Sequence, residues 1–223
     1  MIVHPAIDMG REHVPLVIVD DAHDAAGQLC EAASGVTFER SETDQYPGIR
    51  AVVPESYASW LETLAETAGL GERACVLRTS YAIATDDPAN LSPIQRIPHF
   101  DTTDPAVIAA VHYLCAPPHG GTGFYRHRRS AFERIDASRH PAWRQGLVRD
   151  AQEFGLPDRP CEAGHNALFE LIGFAELRFN RVIFYPANCL HSGIIGDEKL
   201  SPSPDKGRLT ITSLLKVPSA YRA

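Results

Sequence analysis

The chain has no Cys-x-x-Cys pair; its five cysteines (Cys30, Cys75, Cys115, Cys161 and Cys189) are odd in number and widely spaced. That pattern argues against a disulfide framework or a zinc knuckle and fits reduced thiols in a cytoplasmic protein better. No apolar run approaches about 18 residues, so a membrane-spanning helix is not expected. The opening MIVHPAIDMGREHVPLVIVDD lacks the basic start and unbroken apolar stretch of a signal peptide. There is no basic excess: 21 Lys and Arg stand against 28 Asp and Glu, a net charge of -7. A surface built to neutralise nucleic-acid phosphates or anionic lipid is therefore disfavoured. Internal repeats and low-complexity tracts are lacking too, and GGTG (120–123) is a turn, because no Lys-Ser/Thr follows it as a phosphate loop requires.

What is present is an ordinary globular composition over 223 residues, enough for a single domain with a sizeable core. Val14 to Val19 reads as a strand. The Ala-rich stretch from Ala22 to Ser34, stopped by Gly35, predicts a first helix. PESYASWLETLAETAGLG predicts a second, with Tyr57, Trp60, Leu61, Leu64 and Ala68 on one face to pack on a sheet. From residue 72 the texture changes. ACVLRTSYAIA, PAVIAAVHYLC, GTGFYRHR, ALFELIGFAEL, NRVIFYPA and GRLTITSLLKV are short runs rich in β-branched and aromatic residues, punctuated by Gly, Pro, Asn and Asp. Strands at such intervals predict an antiparallel sandwich or barrel. The expected organisation is one folded unit. An N-terminal α/β portion (about 1–70) packs on a mainly β core (about 72–217), with a helical insertion of one or two helices at about 129–155. The loop EKLSPSPDKG, with Pro202, Pro204 and Gly207, is expected to be exposed and mobile.

RIPHFDTTD places His99 and Asp101 two residues apart where an apolar segment gives way to a loop. Alone this says little: chance yields ~0.6 His-x-Asp matches in a chain of this composition. On a strand, however, residues i and i+2 share a face, so both side chains can converge on one ion with Phe100 turned away. A third ligand is offered by His191, which follows the turn Pro186-Ala187-Asn188 at the start of a new apolar run. Two imidazoles and one carboxylate leave coordination positions open, as non-haem iron(II) oxygenases need. A 2-oxoglutarate co-substrate would require a cation for its far carboxylate. Arg208 supplies a planar, bidentate fork, and Thr210, at i+2 on the same face, supplies a hydroxyl.

HFD, then HSG, then GRLT resembles the His-x-Asp…His…Arg-x-Ser/Thr pattern of the Fe(II)/2-oxoglutarate-dependent dioxygenases. AAVHYLCAPPHGGTGFYRHR and the preceding TSYAIA are similar to segments of the prolyl-hydroxylase-like branch. The likeness covers about residues 75–217 and is closest to uncharacterised bacterial members. It departs from the family in a longer gap between His191 and Arg208, read as an inserted loop, and in the helical stretch before FELIGFAEL.

The resemblance implies a double-stranded β-helix (jelly roll) with flanking helices, an α+β chain that is mainly β. It implies Fe(II) on His99, Asp101 and His191, 2-oxoglutarate on Arg208 and Thr210, and a contribution from Tyr81 or Tyr113 to the co-substrate carboxylate. The implied activity is hydroxylation of a small-molecule or peptidyl substrate with release of succinate and CO2. A homodimer is a possible assembly, and neither a nucleic acid nor a membrane partner is expected. The basic run Arg126, His127, Arg128 and Arg129 is either a solvated face or a reader of an anionic or peptide substrate at the barrel mouth. His112 and His119 read as structural or solvent-facing, Asn188 as a turn residue, and Cys189 as a buried thiol. Two other classes stay open. One is a non-catalytic jelly-roll module holding a structural or sensory metal. The other is a zinc hydrolase on the same ligands, although no general-base glutamate stands beside the motif and Arg208 would have no task.

Overall fold

The computed structural model describes residues 1–40, 45–157, 160, 166–195 and 200–217. Its strands are β1 (Ile2–Val3), β2 (Ile7–Met9), β3 (Val14–Asp20), β4 (Gly48–Ala51), β5 (Cys75–Ala84), β6 (Val107–Tyr113), β7 (Thr122–His127), β8 (Phe169–Ala175), β9 (Arg181–Pro186), β10 (His191–Gly193) and β11 (Arg208–Lys216). Its α-helices are α1 (Ala26–Ser34), α2 (Ser56–Thr67) and α3 (His140–Phe154). The larger sheet runs β1-β3-β9-β6-β11-β5-β4, with β2 added on β3, and the smaller runs β10-β7-β8. Every pairing is antiparallel. The two sheets face each other as a jelly roll, mainly β with flanking helices.

Alternation along the strands sorts side chains into layers. Leu209, Ile211 and Leu215 of β11 join Tyr81, Ile83, Val182 and Phe184 under α1 and α2. The other face of the same strands, with Ala109, Val111, Tyr113, Ile183 and Tyr185, meets Phe124 and Ala175 of the smaller sheet. A third cluster packs Tyr125 and Phe169 on the outer side of the smaller sheet against Trp143 of α3. In α2 the expected stripe is what packs: Tyr57, Leu61 and Leu64 are buried, with Trp60 and Ala68 at the margin. Each fully buried leucine contributes roughly 1.5–3 kcal/mol. The helix ends where Gly69 turns to a positive φ of 76° and the Leu70 N–H returns to the Ala65 carbonyl at 3.0 Å.

One expectation needs correction. The N-terminal portion is not a separate layer packed on the core, because β3 pairs with β9 and β4 with β5, so its strands complete the larger sheet. Only Val14–Val19 and the helices were legible locally; the pairing is long-range. The insertion holds one helix, α3, of the one or two expected, and the residues before it make turns and a bridge between Arg134 and Cys189. In the tail loop, Ser203 to Gly207 is a turn closed by the Gly207 N–H on the Ser203 carbonyl, 2.7 Å. Glu198 and Lys199 lie outside the described residues, as does Cys161. Among the described residues no helix is long and apolar enough to cross a membrane.

Candidate functional site

His99 and His191 face each other across an isolated antiparallel bridge. The His99 N–H donates to the His191 carbonyl (2.9 Å) and the His191 N–H to the His99 carbonyl (2.8 Å). Asp101 is tied to the turn before His191, its N–H donating to the Ala187 carbonyl at 2.8 Å. These backbone bonds bring together two segments far apart in sequence. The ligand atoms of His99, Asp101 and His191 lie within 4.8 Å of one another, a spread that one ion can draw together. Phe100 points the other way, its ring edge-on to His140 and Trp143 at 5.6 and 5.3 Å. The i, i+2 convergence expected of HFD is therefore what the backbone delivers.

The donor set suits a metal. The Nδ1–H of His191 donates to the Cys189 carbonyl at 3.0 Å, which orients the ring and leaves Nε2 as a lone pair, 3.6 Å from Asp101 Oδ2. His99 keeps an edge open to solvent. Even so, the protein packed around its ring, and secondarily the neighbouring His191, push its pKa down to about 4 despite the opposing Asp101. It is neutral at physiological pH, the state in which imidazole ligates. His191 is buried while His99 and Asp101 are exposed, so one side of an ion held here would remain accessible.

The triad borders a cavity of about 120 Å³ between the sheets, whose lining includes Arg208, Thr210, Thr122 and Tyr185. Arg208 is 5% exposed. Its Nε and Nη2 donate to the carbonyls of Gly120 and Gly121, both at 3.1 Å, and its guanidinium lies 5.8 Å from the Tyr113 ring centroid. The double glycine is forced by close approach: a Cβ would sit 2.0 Å from the Ile194 carbonyl oxygen at Gly120 and 1.9 Å from that of Ala175 at Gly121. Among the described residues no carboxylate pairs with Arg208, and its Nη1 makes no hydrogen bond. Thr210, in register with Tyr113, is buried and donates weakly to the Ala82 carbonyl at 3.3 Å.

Other candidates fall elsewhere. Tyr81 is corrected: it sits opposite Ile211 on the helix-facing side of the sheet and donates to the Leu29 carbonyl at 2.7 Å, away from the cavity. Tyr113 is on the cavity side, its hydroxyl 2.7 Å from Thr122 Oγ1. The basic run is also corrected as a substrate reader. Arg126 pairs with Glu133 and Glu170, His127 and Arg129 with Asp150, and Arg128 donates to the Asn166 carbonyl; the run clamps β8 and α3 to β7. His112 is buried between Tyr57 and Asn180. Asn188 accepts from Ile135 through its carbonyl. Cys189 is buried, which raises its thiol pKa well above the usual value.

Sequence reasoning missed Arg50, Arg78 and the site role of Tyr185, all of which line the cavity. Tyr185, whose ring is 4.8 Å from that of His191, was accessible through the period-2 pattern, since it alternates with the helix-facing Val182 and Phe184. The two arginines depend on strand pairing that the sequence does not display.

Residues 3–215 match the family of unknown function DUF6445, and the chain belongs to that family. No curated protein matches it. Its fold is similar to that of HygX from Streptomyces hygroscopicus, solved with nickel and 2-oxoglutarate bound (9% identity over 93% of this chain and 85% of that one, TM-score 0.52). The same protein solved with iron bound gives 10% identity, 93% and 84% coverage and a TM-score of 0.50. At this identity the likeness establishes the jelly-roll fold alone.

Proposed function

We propose that the protein is an Fe(II)- and 2-oxoglutarate-dependent oxygenase that hydroxylates a small-molecule or peptidyl substrate, releasing succinate and CO2. One observation carries the reading. A converged His-Asp-His set and a buried arginine without a carboxylate partner among the described residues open onto the same cavity. Burying a guanidinium costs several kcal/mol unless an anion offsets it, and a co-substrate carboxylate would be that anion. The fold is one on which HygX holds nickel and 2-oxoglutarate, which supports the reading.

His99, Asp101 and His191 would hold the iron, and Arg208 with Thr210 the far carboxylate of 2-oxoglutarate. Iron so held supplies the activation of dioxygen that couples oxidative decarboxylation of the co-substrate to oxidation of a C–H bond. The chain's own share is geometric. The Cys189 carbonyl fixes the His191 tautomer, Gly120 and Gly121 aim Arg208, and Ala109, Val111 and Leu214 give the cavity a dry wall. YLC followed by GG-T-G-F places the chain, in this reading, in the prolyl-hydroxylase-like branch without committing the substrate to proline. A zinc hydrolase would leave Arg208 without a task, and no glutamate lines the cavity among the described residues.

The test is succinate formation from 2-oxoglutarate by the Fe(II)-loaded protein, with Arg208→Ala beside it. Wild-type turnover that Arg208→Ala loses, while iron binding is kept, is expected. Iron bound by both without any 2-oxoglutarate affinity would replace the oxygenase by a metal-binding or sensory module.

A further inference from the structure

We propose that the substrate carries an oxyanion group, a carboxylate or a phosphoryl group, seated on Arg78 with Arg50 at the β4–β5 side of the cavity; this deepens the oxygenase reading and rests on it. With iron(II) and 2-oxoglutarate in place, the charges of the metal, Asp101, the co-substrate and Arg208 cancel. Asp101 is the one acid lining the cavity among the described residues, yet Arg78 lines it as well.

Arg78 is exposed, and no described carboxylate pairs with it. It stands opposite Leu214 on β11, two residues before Ser80 and on the same face of β5. Arg50 stands opposite Ala82 on the edge strand β4, but its side chain is drawn along β5 toward Arg78. Its Nη1 donates to Thr212 Oγ1 at 2.8 Å and to Ser80 Oγ at 3.1 Å. The Tyr46 ring backs its guanidinium at 4.4 Å.

Arg208, Thr210, Thr212 and Leu214 succeed one another on one face of β11. The proposed anion seat thus lies along the same strand as the co-substrate anchor, displaced from it toward Leu214. A guanidinium beside a cavity, with a second fixed next to it as Arg50 is, is suited to forked recognition of carboxylate or phosphate.

The experiment is calorimetric titration of potassium phosphate, and separately of potassium acetate, into the protein loaded anaerobically with Fe(II) and saturating 2-oxoglutarate, which occupies Arg208. Arg78→Gln is expected to weaken phosphate binding about tenfold, the loss of one charge-assisted contact. Arg78→Lys should retain most of the affinity. Arg149→Gln, which removes an exposed charge on α3 away from the cavity, should change nothing, and 2-oxoglutarate affinity should be the same in all four proteins. Tighter acetate than phosphate would assign a carboxylate substrate, and the reverse a phosphoryl one. No measurable anion binding, or equal binding by Arg78→Gln and wild type, overturns the proposal. Loss of 2-oxoglutarate binding with Arg78-dependent phosphate binding intact would instead strike the oxygenase reading and leave the anion seat standing.

Discussion

Arg126 and Arg208 are both buried, one on each sheet, and they differ in what they face. Arg126 meets carboxylates: its Nε donates to the fully buried Glu133 at 2.8 Å and its Nη1 to Glu170 at 2.8 Å. Arg208 meets two backbone carbonyls and no described carboxylate. The buried histidines divide the same way. His112 engages both ring nitrogens, with Tyr57 at 3.2 Å and Asn180 at 3.1 Å, whereas His191 engages Nδ1 alone. Polar groups whose capacity is filled by neighbours lock the fold. Those held by backbone on one side and open on the other mark where a ligand belongs.

The contrast is sharpest where one member is removed. Arg126→Ala leaves the Glu133 carboxylate buried without its cation, and a loss of about 3–5 kcal/mol in stability is expected from denaturant unfolding. A loss below 1 kcal/mol would show that the pair is not what holds β7 to its neighbours.

His112 tests the locked class through pH. Burial lowers its pKa to about 4, against 6.5 unperturbed. The unfolded chain therefore takes up the proton first as pH falls. The contribution of neutral His112 is complete above pH 6.5, declines between 6.5 and 4, and the total loss is about 3 kcal/mol. Unfolding free energies at pH 7 and pH 4.5 should differ more in wild type than in His112→Gln; equal slopes would break the assignment.

Arg208→Ala tests the open class. Its expected effect falls on binding, about a 100-fold loss of 2-oxoglutarate affinity or some 2.7 kcal/mol, with iron binding intact and the melting temperature little changed. Equal loss of iron and co-substrate in calorimetry would make Arg208 a structural residue like Arg126. The smallest effect is that of Tyr81→Phe. It removes one hydrogen bond to the Leu29 carbonyl, about 1 kcal/mol of stability, and leaves 2-oxoglutarate affinity unchanged.

Tyr81 also shows what the sequence leaves undecided. The Tyr81–Ala84 end of its strand, like the strand of Tyr113, is buried on both faces, so alternation cannot say which side holds the site. Register decides it: Tyr81 stands opposite Ile211 and Tyr113 opposite Thr210 on β11. Strands β3, β5 to β9 and β11 were legible from their residue types, while β1, β2 and β4 were not. The pairs His99 with Asp101 and Arg208 with Thr210 were legible because residues two apart share a face, and His191 from its order in the chain. The partners of Arg126 to Arg129 were not legible, since Glu133, Asp150, Glu153 and Glu170 are scattered over a loop, a helix and a strand whose docking is tertiary. Arg50 and Arg78 were missed for the same reason.

The most direct test of the central claim is optical. Fe(II) and then 2-oxoglutarate are added without oxygen to the metal-free protein, and the visible spectrum is followed. The account predicts a weak charge-transfer band that requires both additions and is lost in Asp101→Ala. Iron that binds while no band develops at saturating 2-oxoglutarate would contradict it.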